Sequence, residues 1–187
     1  MTNRISQYLP DPEHPLESPE LRAKQKALRF VCLALILGTV FVTIGVTATV
    51  KFALGGNSLP KLGASPGGIP ILTIVGAVLT LSAVSVASLV VPFLTNVGLK
   101  KIAAEPAADE PEVERIWTVY AKGKFVEFAL AEGAAVITAI LYHLSADWLM
   151  LVFVAGMVGF LIVRFPTLVR NRRWYDEAAG KLEVLKQ

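Results

Sequence analysis

Residues 125–144 read FVEFALAEGAAVITAILYHL, an apolar segment of helix length that carries two acids, Glu127 and Glu132. About 20 helical residues are needed to cross the roughly 30 Å hydrocarbon core of a bilayer. A carboxylate in hydrocarbon is costly, so it is usually paired, neutralised or functional. The segment therefore predicts a transmembrane helix and, at its two acids, the first place to look for chemistry.

Three other blocks have similar length and apolar character, and none of them contains an acid. Backbone groups in lipid must be satisfied within the protein, so each block is expected to form a helix. Hydrophobic residues make up 54% of the 187 residues, above the level of about 45–50% in soluble domains. The predicted fold is all-α and integral to a membrane, with four transmembrane helices at about 28–50, 69–94, 125–144 and 148–168.

Basic residues are distributed unevenly among the loops. Sixteen of the 18 lie before the first span, between the second and third, or from the end of the fourth onward. Because Lys-rich and Arg-rich loops stay on the cytoplasmic side, both termini and the central loop are predicted to be cytoplasmic, in a bacterial inner membrane. The formal charge of +3 then reflects orientation rather than nucleic-acid binding. Basic clusters beside the spans are candidates for contact with anionic lipid.

Composition divides the chain into five segments. The proline-rich start is expected to be mostly disordered, although Pro19-Glu20 is also a helix-start signal. In the tail, Trp174 and Tyr175 are expected to anchor at the membrane interface. The segments are a cytoplasmic N-terminal part (1–26), a first transmembrane hairpin (27–105) with a long outer loop (51–68), a cytoplasmic linker with a short interfacial helix (106–124), a second transmembrane hairpin (125–170) and a cytoplasmic tail (171–187).

The two hairpins resemble each other in sequence. Residues 33–38, LALILG, align with residues 128–133, FALAEG, and residues 91–95, VPFLT, align with residues 163–167, VRFPT. This pattern predicts a tandem duplication with both copies in the same orientation, an arrangement that also occurs in transporters. The alternative is two hairpins that meet the same topological constraints.

Each predicted span carries small residues at helical spacing. Such residues let membrane helices approach closely, because lipid provides no hydrophobic force that drives helices together. The stripes predict packing within the bundle, and homo-oligomer or hetero-oligomer formation is the alternative. They are Ala34 and Gly38 in the first span, Gly76, Thr80, Ala83 and Ala87 in the second, Ala131, Ala135 and Ala139 in the third, and Ala155 and Gly159 in the fourth.

Glu132 lies on the same helix face as Ala135 and Ala139, which places it toward a helix contact rather than toward lipid. Arg164, near the end of the fourth span, is at a comparable depth and provides a counter-charge. One interpretation is a structural ion pair, Glu132–Arg164 or Glu127–Arg164. A second makes Glu132 a protonatable or cation-binding site. In a third, the side chain reaches the interface and has no specific role.

Residues 128–142, FALAEGAAVITAILY, place a Glu within an Ala-rich and Gly-rich helix. This stretch resembles the ion-binding helix of the rotary ATPase proteolipids, the c subunits. Those proteins are two-helix hairpins, or tandem hairpins that keep the acid in one copy. The resemblance implies that Glu132 binds a proton or cation. It covers only this stretch, and here the acid lies on the first helix of its hairpin, whereas in the family it lies on the second.

The remaining chemistry-bearing residues form no recognisable motif. Cys32 is the only cysteine, so neither an intrachain disulfide nor a cysteine-based metal site is expected. His143 and Asp147 are too few to predict a metal site. The sequence contains no catalytic or nucleotide-binding motif that we recognise. The predicted function is therefore non-enzymatic, without metal or cofactor: a structural or accessory subunit of a membrane assembly. The alternative is a proton- or cation-handling subunit that uses Glu132.

Overall fold

The computed structural model describes residues 14–53, 71–105, 110–145 and 147–187. Within these ranges the fold is all-helical, as predicted. Most of the predicted outer loop at 51–68 lies outside the described residues. The helices are α1 (Pro19–Ala48), α2 (Ile71–Ala104), α3 (Glu112–Ser145), α4 (Leu149–Val163) and α5 (Leu168–Leu185), with a 3-10 turn at Pro15–Glu17 and a π-helical turn at Thr49–Ala53.

Three helices are long and apolar enough to cross a membrane: α1 with its π-helical turn, α2 and α3. A fourth span results if α4 and α5, which are bent by 68° relative to each other, are counted as one. Large apolar side chains point outward along α1 and α2, for example Phe41 and Leu89, which are 69% and 73% exposed. These lengths and outward faces indicate a membrane protein.

α1 begins at Pro19, which confirms the helix start predicted at Pro19-Glu20. The prediction of a mostly disordered segment through residue 26 is wrong for residues 19–26, which are helical. The Ser18 side chain accepts a hydrogen bond from the Leu21 backbone nitrogen, and Pro occupies the first helical position, where its missing N–H costs nothing. Gln25 is buried and donates from Nε2 to the Leu16 carbonyl at 2.8 Å. Residues 1–13 lie outside the described residues.

The short interfacial helix predicted within 106–124 is not a separate element, because α3 runs without a break from Glu112 to Ser145. No proline interrupts this stretch. The buried face that begins at Ile116, Trp117 and Tyr120 continues to Phe128, so packing holds both parts in one helix.

The fourth predicted span, 148–168, ends early because α4 stops at Val163. Pro166 disfavours a helical conformation at Phe165 and lacks a backbone N–H, which favours a helix end at this point. The Thr167 side chain then caps a new helix by accepting from the Arg170 backbone nitrogen. The tail is therefore not an extension of the span but a separate helix, α5.

The two aromatic residues of α5 that the sequence predicts as interface anchors pack against the bundle to different extents. Tyr175 is buried, which contradicts an interfacial role for it. Trp174 is half-buried, with its ring 4.6 Å from the ring of Tyr120 on α3, and its interfacial role stays a prediction. α5 packs against α2 and α3 through Asn171, Tyr175, Ala178 and Leu182, which are spaced as one face of a helix.

α3 lies at the centre of the bundle and contacts the other four helices. Its predicted stripe of alanines is buried, as are Gly76 and Ala87 of α2. The prediction for α4 is wrong, because both Ala155 and Gly159 are exposed. On α1 it fails at Ala34, which is exposed, whereas Gly38 is half-buried and faces Glu132 of α3. α4 instead turns large residues inward: Met150, Val154, Met157 and Leu161.

The order of the helices is compatible with two hairpins, α1–α2 and α3–α4, but the two copies differ where the sequences align. α2 continues through Pro92, whereas the second hairpin is broken at 164–167. The tandem duplication stays a prediction.

Candidate functional site: a charged cluster at the α4–α5 break

The break between α4 and α5 exposes backbone carbonyls that the helix itself cannot satisfy. Three cationic side chains from three helices donate to them. Lys124 of α3 reaches the Arg164 carbonyl at 3.3 Å, and Arg29 of α1 reaches the Pro166 carbonyl at 3.1 Å. Arg170 of α5 donates to the carbonyls of Val163 and Phe165. Positive charge at the carboxyl end of a helix is also favoured by the helix dipole.

Glu127 balances this positive charge. It is only 3% exposed, and each carboxylate oxygen has a basic partner. Lys124 Nζ lies 2.6 Å from Oε2, and Arg164 Nε lies 3.4 Å from Oε1. Of the two ion pairs that the sequence offered, the structure thus brings together Glu127 and Arg164. Sequence reasoning missed Lys124, although it lies three residues before Glu127 on the same helix, a spacing at which side chains meet.

Glu132 is separate from this cluster. It lies one and a half turns further along α3 and is half-buried. Its Oε1 lies 3.8 Å from the position that a Cβ on Gly38 would occupy, so the carboxylate faces α1. Among the described residues it makes no salt bridge, so the Glu132–Arg164 pair does not form here.

A cleft of about 300 Å³ opens beside Glu127, between α2, α3 and α5. Three basic side chains, Lys124, Arg164 and Lys181, line it together with apolar and small polar residues, and α2 forms one wall. Pro92 lies in this wall, and its missing N–H leaves the Ser88 carbonyl without an intrahelical donor. The full lining is Ala87, Ser88, Val91, Pro92, Thr95, Asn96, Tyr120, Lys124, Glu127, Arg164, Trp174 and Lys181.

A buried hydrogen bond fixes α5 against α3 next to the cleft. The Tyr120 hydroxyl donates to Asn171 Oδ1 at 2.7 Å, and Tyr120 and Asn171 are 4% and 1% exposed. The Tyr120 ring also contacts Trp117 and Trp174. Sequence reasoning gave Asn171 no role, since a single Asn in a polar tail carries no signal of burial. The contact sets the position of α5 and hence of one wall of the cleft.

At the opposite end of the bundle, Asp147 has a structural role. Its carboxylate accepts from the Leu149 backbone nitrogen at 3.1 Å and from the Thr73 hydroxyl, which ties the start of α4 to the start of α2. His143 Nδ1 is buried without a hydrogen-bond partner in the described part of the chain. Across those same residues, no three His, Cys, Asp or Glu side chains are grouped as a metal site.

No family model, curated protein or solved structure matches this chain. The resemblance of residues 128–142 to the rotary ATPase proteolipids therefore stays a prediction.

Proposed function

We propose that this chain is a non-enzymatic protein of a bacterial inner membrane, with four spans and both termini cytoplasmic. It serves as a structural or accessory subunit of a larger membrane assembly. The observation that carries the proposal is the outward face of α4, where small residues are exposed while large ones fill the interior.

The exposed face is centred on Ala155 and Gly159, which are four residues apart. A Cβ added at Gly156 or Gly159 would meet nothing within 4 Å, so this face is open within the described structure. In lipid, a small-xxx-small face lets a second helix approach closely enough for van der Waals contact and drives association. A lipid-facing helix without a partner gains nothing from such a face. We therefore place the contact with another subunit on α4.

The charged cluster supports a structural role for Glu127, the one acid that is deeply buried among the described residues. Both of its oxygens are already bound by Lys124 and Arg164, and the same cations satisfy the broken end of α4. This arrangement fixes the bend between α4 and α5, so that α5 forms a rigid surface on the cytoplasmic side of the proposed topology.

The test is the size of the assembly in mildly solubilised native membranes, measured on native gels for the full chain. Ala155→Leu and Gly159→Leu are expected to shift the chain from a larger band to the monomer. Ala34→Leu is the matched control, because Ala34 is an exposed small residue on α1. A wild-type chain that runs as a monomer, or α4 variants that keep the larger band, would refute the proposal.

A second function, proton or cation handling, is favoured by one observation: Glu132 has no basic partner in the described part of the chain, whereas Glu127 has two. An apolar carbodiimide reacts with a protonated carboxyl in an apolar site, so this function predicts labelling at Glu132 that Glu132→Gln abolishes. Glu127 is the internal control, because both of its carboxylate oxygens already contact basic side chains, Lys124 and Arg164. Absence of labelling at Glu132, or equal labelling of both acids, counts against this function.

A further inference from the structure

The cleft beside Glu127 has a position that suits a lipid headgroup. Its polar residues lie at the ends of three predicted spans: Thr95 and Asn96 follow the second, Lys124 precedes the third, and Arg164 is near the end of the fourth. In the proposed topology these residues share one level, the headgroup region of the cytoplasmic leaflet. The cleft therefore opens where the phosphates of that leaflet lie.

The charge of the cleft favours an anion. Lys124, Arg164 and Lys181 line it together with a single carboxylate, Glu127, so the lining carries a net charge of +2 at neutral pH. Lys181 makes no salt bridge to any described residue, and the Arg164 side chain is 49% exposed despite its contact with Glu127. Two of the cations thus remain accessible to a ligand.

The apolar side of the cleft distinguishes a lipid from a soluble anion. Ala87 and Val91 of α2 line it toward the membrane interior. Leu89 and Phe93 lie roughly 100° around α2 from the lining residues Ser88 and Pro92 and are 73% and 65% exposed. An acyl chain that leaves the cleft therefore meets an exposed apolar face of α2, while the phosphate stays beside the basic side chains. Free phosphate would leave the apolar wall unused. The volume, about 300 Å³, is at the lower end for small-molecule sites and fits a headgroup rather than a whole lipid.

We propose that the cleft between α2, α3 and α5 binds the phosphate headgroup of one anionic phospholipid, with Lys181 and Arg164 contacting the phosphate. This inference rests on the proposed function, since it requires the bundle to be inserted with the cleft facing the cytoplasmic leaflet.

Native mass spectrometry of the full-length protein in detergent tests the proposal by counting bound lipids during titration with phosphatidylglycerol. Lys181→Gln is expected to weaken binding about fivefold, the factor that one interfacial cation contributes. Ser88→Leu, at an exposed position in the lining, is expected to abolish binding by filling the cleft. Lys26→Gln is the matched control, because Lys26 is exposed on α1 and does not line the cleft.

The proposal holds if one phosphatidylglycerol binds in preference to phosphatidylcholine, if excess inorganic phosphate fails to displace it, and if only the two cleft variants weaken it. It is overturned if both lipids bind alike, if Lys181→Gln behaves like Lys26→Gln, or if inorganic phosphate occupies the site instead. The native-gel comparison of Gly159→Leu tests the proposed function separately. A Gly159-dependent assembly without selective lipid binding would refute the lipid site alone.

Discussion

Replacing Glu127 by Gln isolates the contribution of the charged cluster. Removing one partner of a buried ion pair costs about 3–5 kcal/mol, because the remaining charge is left buried without compensation. Here the cost is smaller, because the Arg164 side chain is 49% exposed and its pairing is screened, as in surface pairs worth about 0–1 kcal/mol. Lys124, whose side chain is 15% exposed, keeps its bond to the Arg164 carbonyl. We expect a net loss of about 2–3 kcal/mol.

The assay is thermal unfolding of the purified full-length chain in detergent. On the scale of roughly 2–4 °C per kcal/mol for a chain of this size, Glu127→Gln should lower Tm by roughly 4–12 °C. Glu132→Gln is the matched control and should shift Tm by less than about 3 °C, since Glu132 has no ion pair among the described residues. Adding Arg164→Gln to Glu127→Gln should cost less than the sum of the single changes. Equal effects of Glu127→Gln and Glu132→Gln would refute the reasoning.

Two further predictions concern packing and pH. A Cβ at Gly98 would lie 2.6 Å from Val119 Cγ2, so Gly98→Ala should destabilise by about 1–3 kcal/mol in thermal unfolding. Adding Val119→Ala to Gly98→Ala should recover the lost stability. Gly133→Ala should not destabilise the protein, because a Cβ at Gly133 would meet nothing within 4 Å. Burial, with a smaller contribution from Glu112, raises the pKa of Tyr175 above its ordinary value of 10.0. The protonated Tyr175 hydroxyl therefore contributes fully to the stability of the folded state below about pH 10, and this contribution is lost as the pH rises further. Tyr175→Phe should lose less Tm between pH 8 and pH 11 than the wild type, and an identical loss would contradict the assignment.

The helical class and the positions of the first three spans could be predicted, because apolar runs of span length admit few structures in lipid. The early end of α4 was also encoded in the sequence, at Pro166. The predicted span 148–168 includes that proline, because hydropathy continues past it to Leu168. Mean hydropathy is taken over a window of residues and does not register one missing N–H. The proline alone does not decide the outcome either, because α2 continues through Pro92.

Which small residues face inward could not be predicted from spacing. Ala155 and Gly159 have the same spacing as buried pairs on α3, yet they are exposed. The direction of α4 is decided by volume, because Gly76 of α2 leaves room for Met150, whose Sδ would lie 2.6 Å from a Cβ at Gly76. That complementarity between two helices distant in sequence is a tertiary property, and a pattern within one helix does not contain it.

Glu127, the deeper-buried of the two acids in the third span, is better understood as a consequence of the α4–α5 break than as its cause. α4 has 15 residues and is about 22 Å long, shorter than a hydrocarbon core of roughly 30 Å. Its last carbonyls have no donor within α4, and a buried backbone group left without a partner costs about 1–3 kcal/mol. Lys124, Arg29 and Arg170 satisfy them, and the positive charge that they bring together is offset by Glu127.

If the break recruits the basic side chains, Arg29 should stabilise the protein independently of Glu127. Arg29 contacts the break but not Glu127. Arg29→Met keeps the apolar stem and removes the donor to the Pro166 carbonyl. It also removes a buried Nη2 that has no hydrogen-bond partner among the described residues, which by itself would be stabilising. If satisfaction of the break dominates, thermal unfolding in detergent should show a loss of about 1–2 kcal/mol. The loss should persist in the Glu127→Gln background, because the two side chains satisfy different groups. A variant as stable as the wild type would mean that the break tolerates an open carbonyl, and Glu127 would then need another explanation.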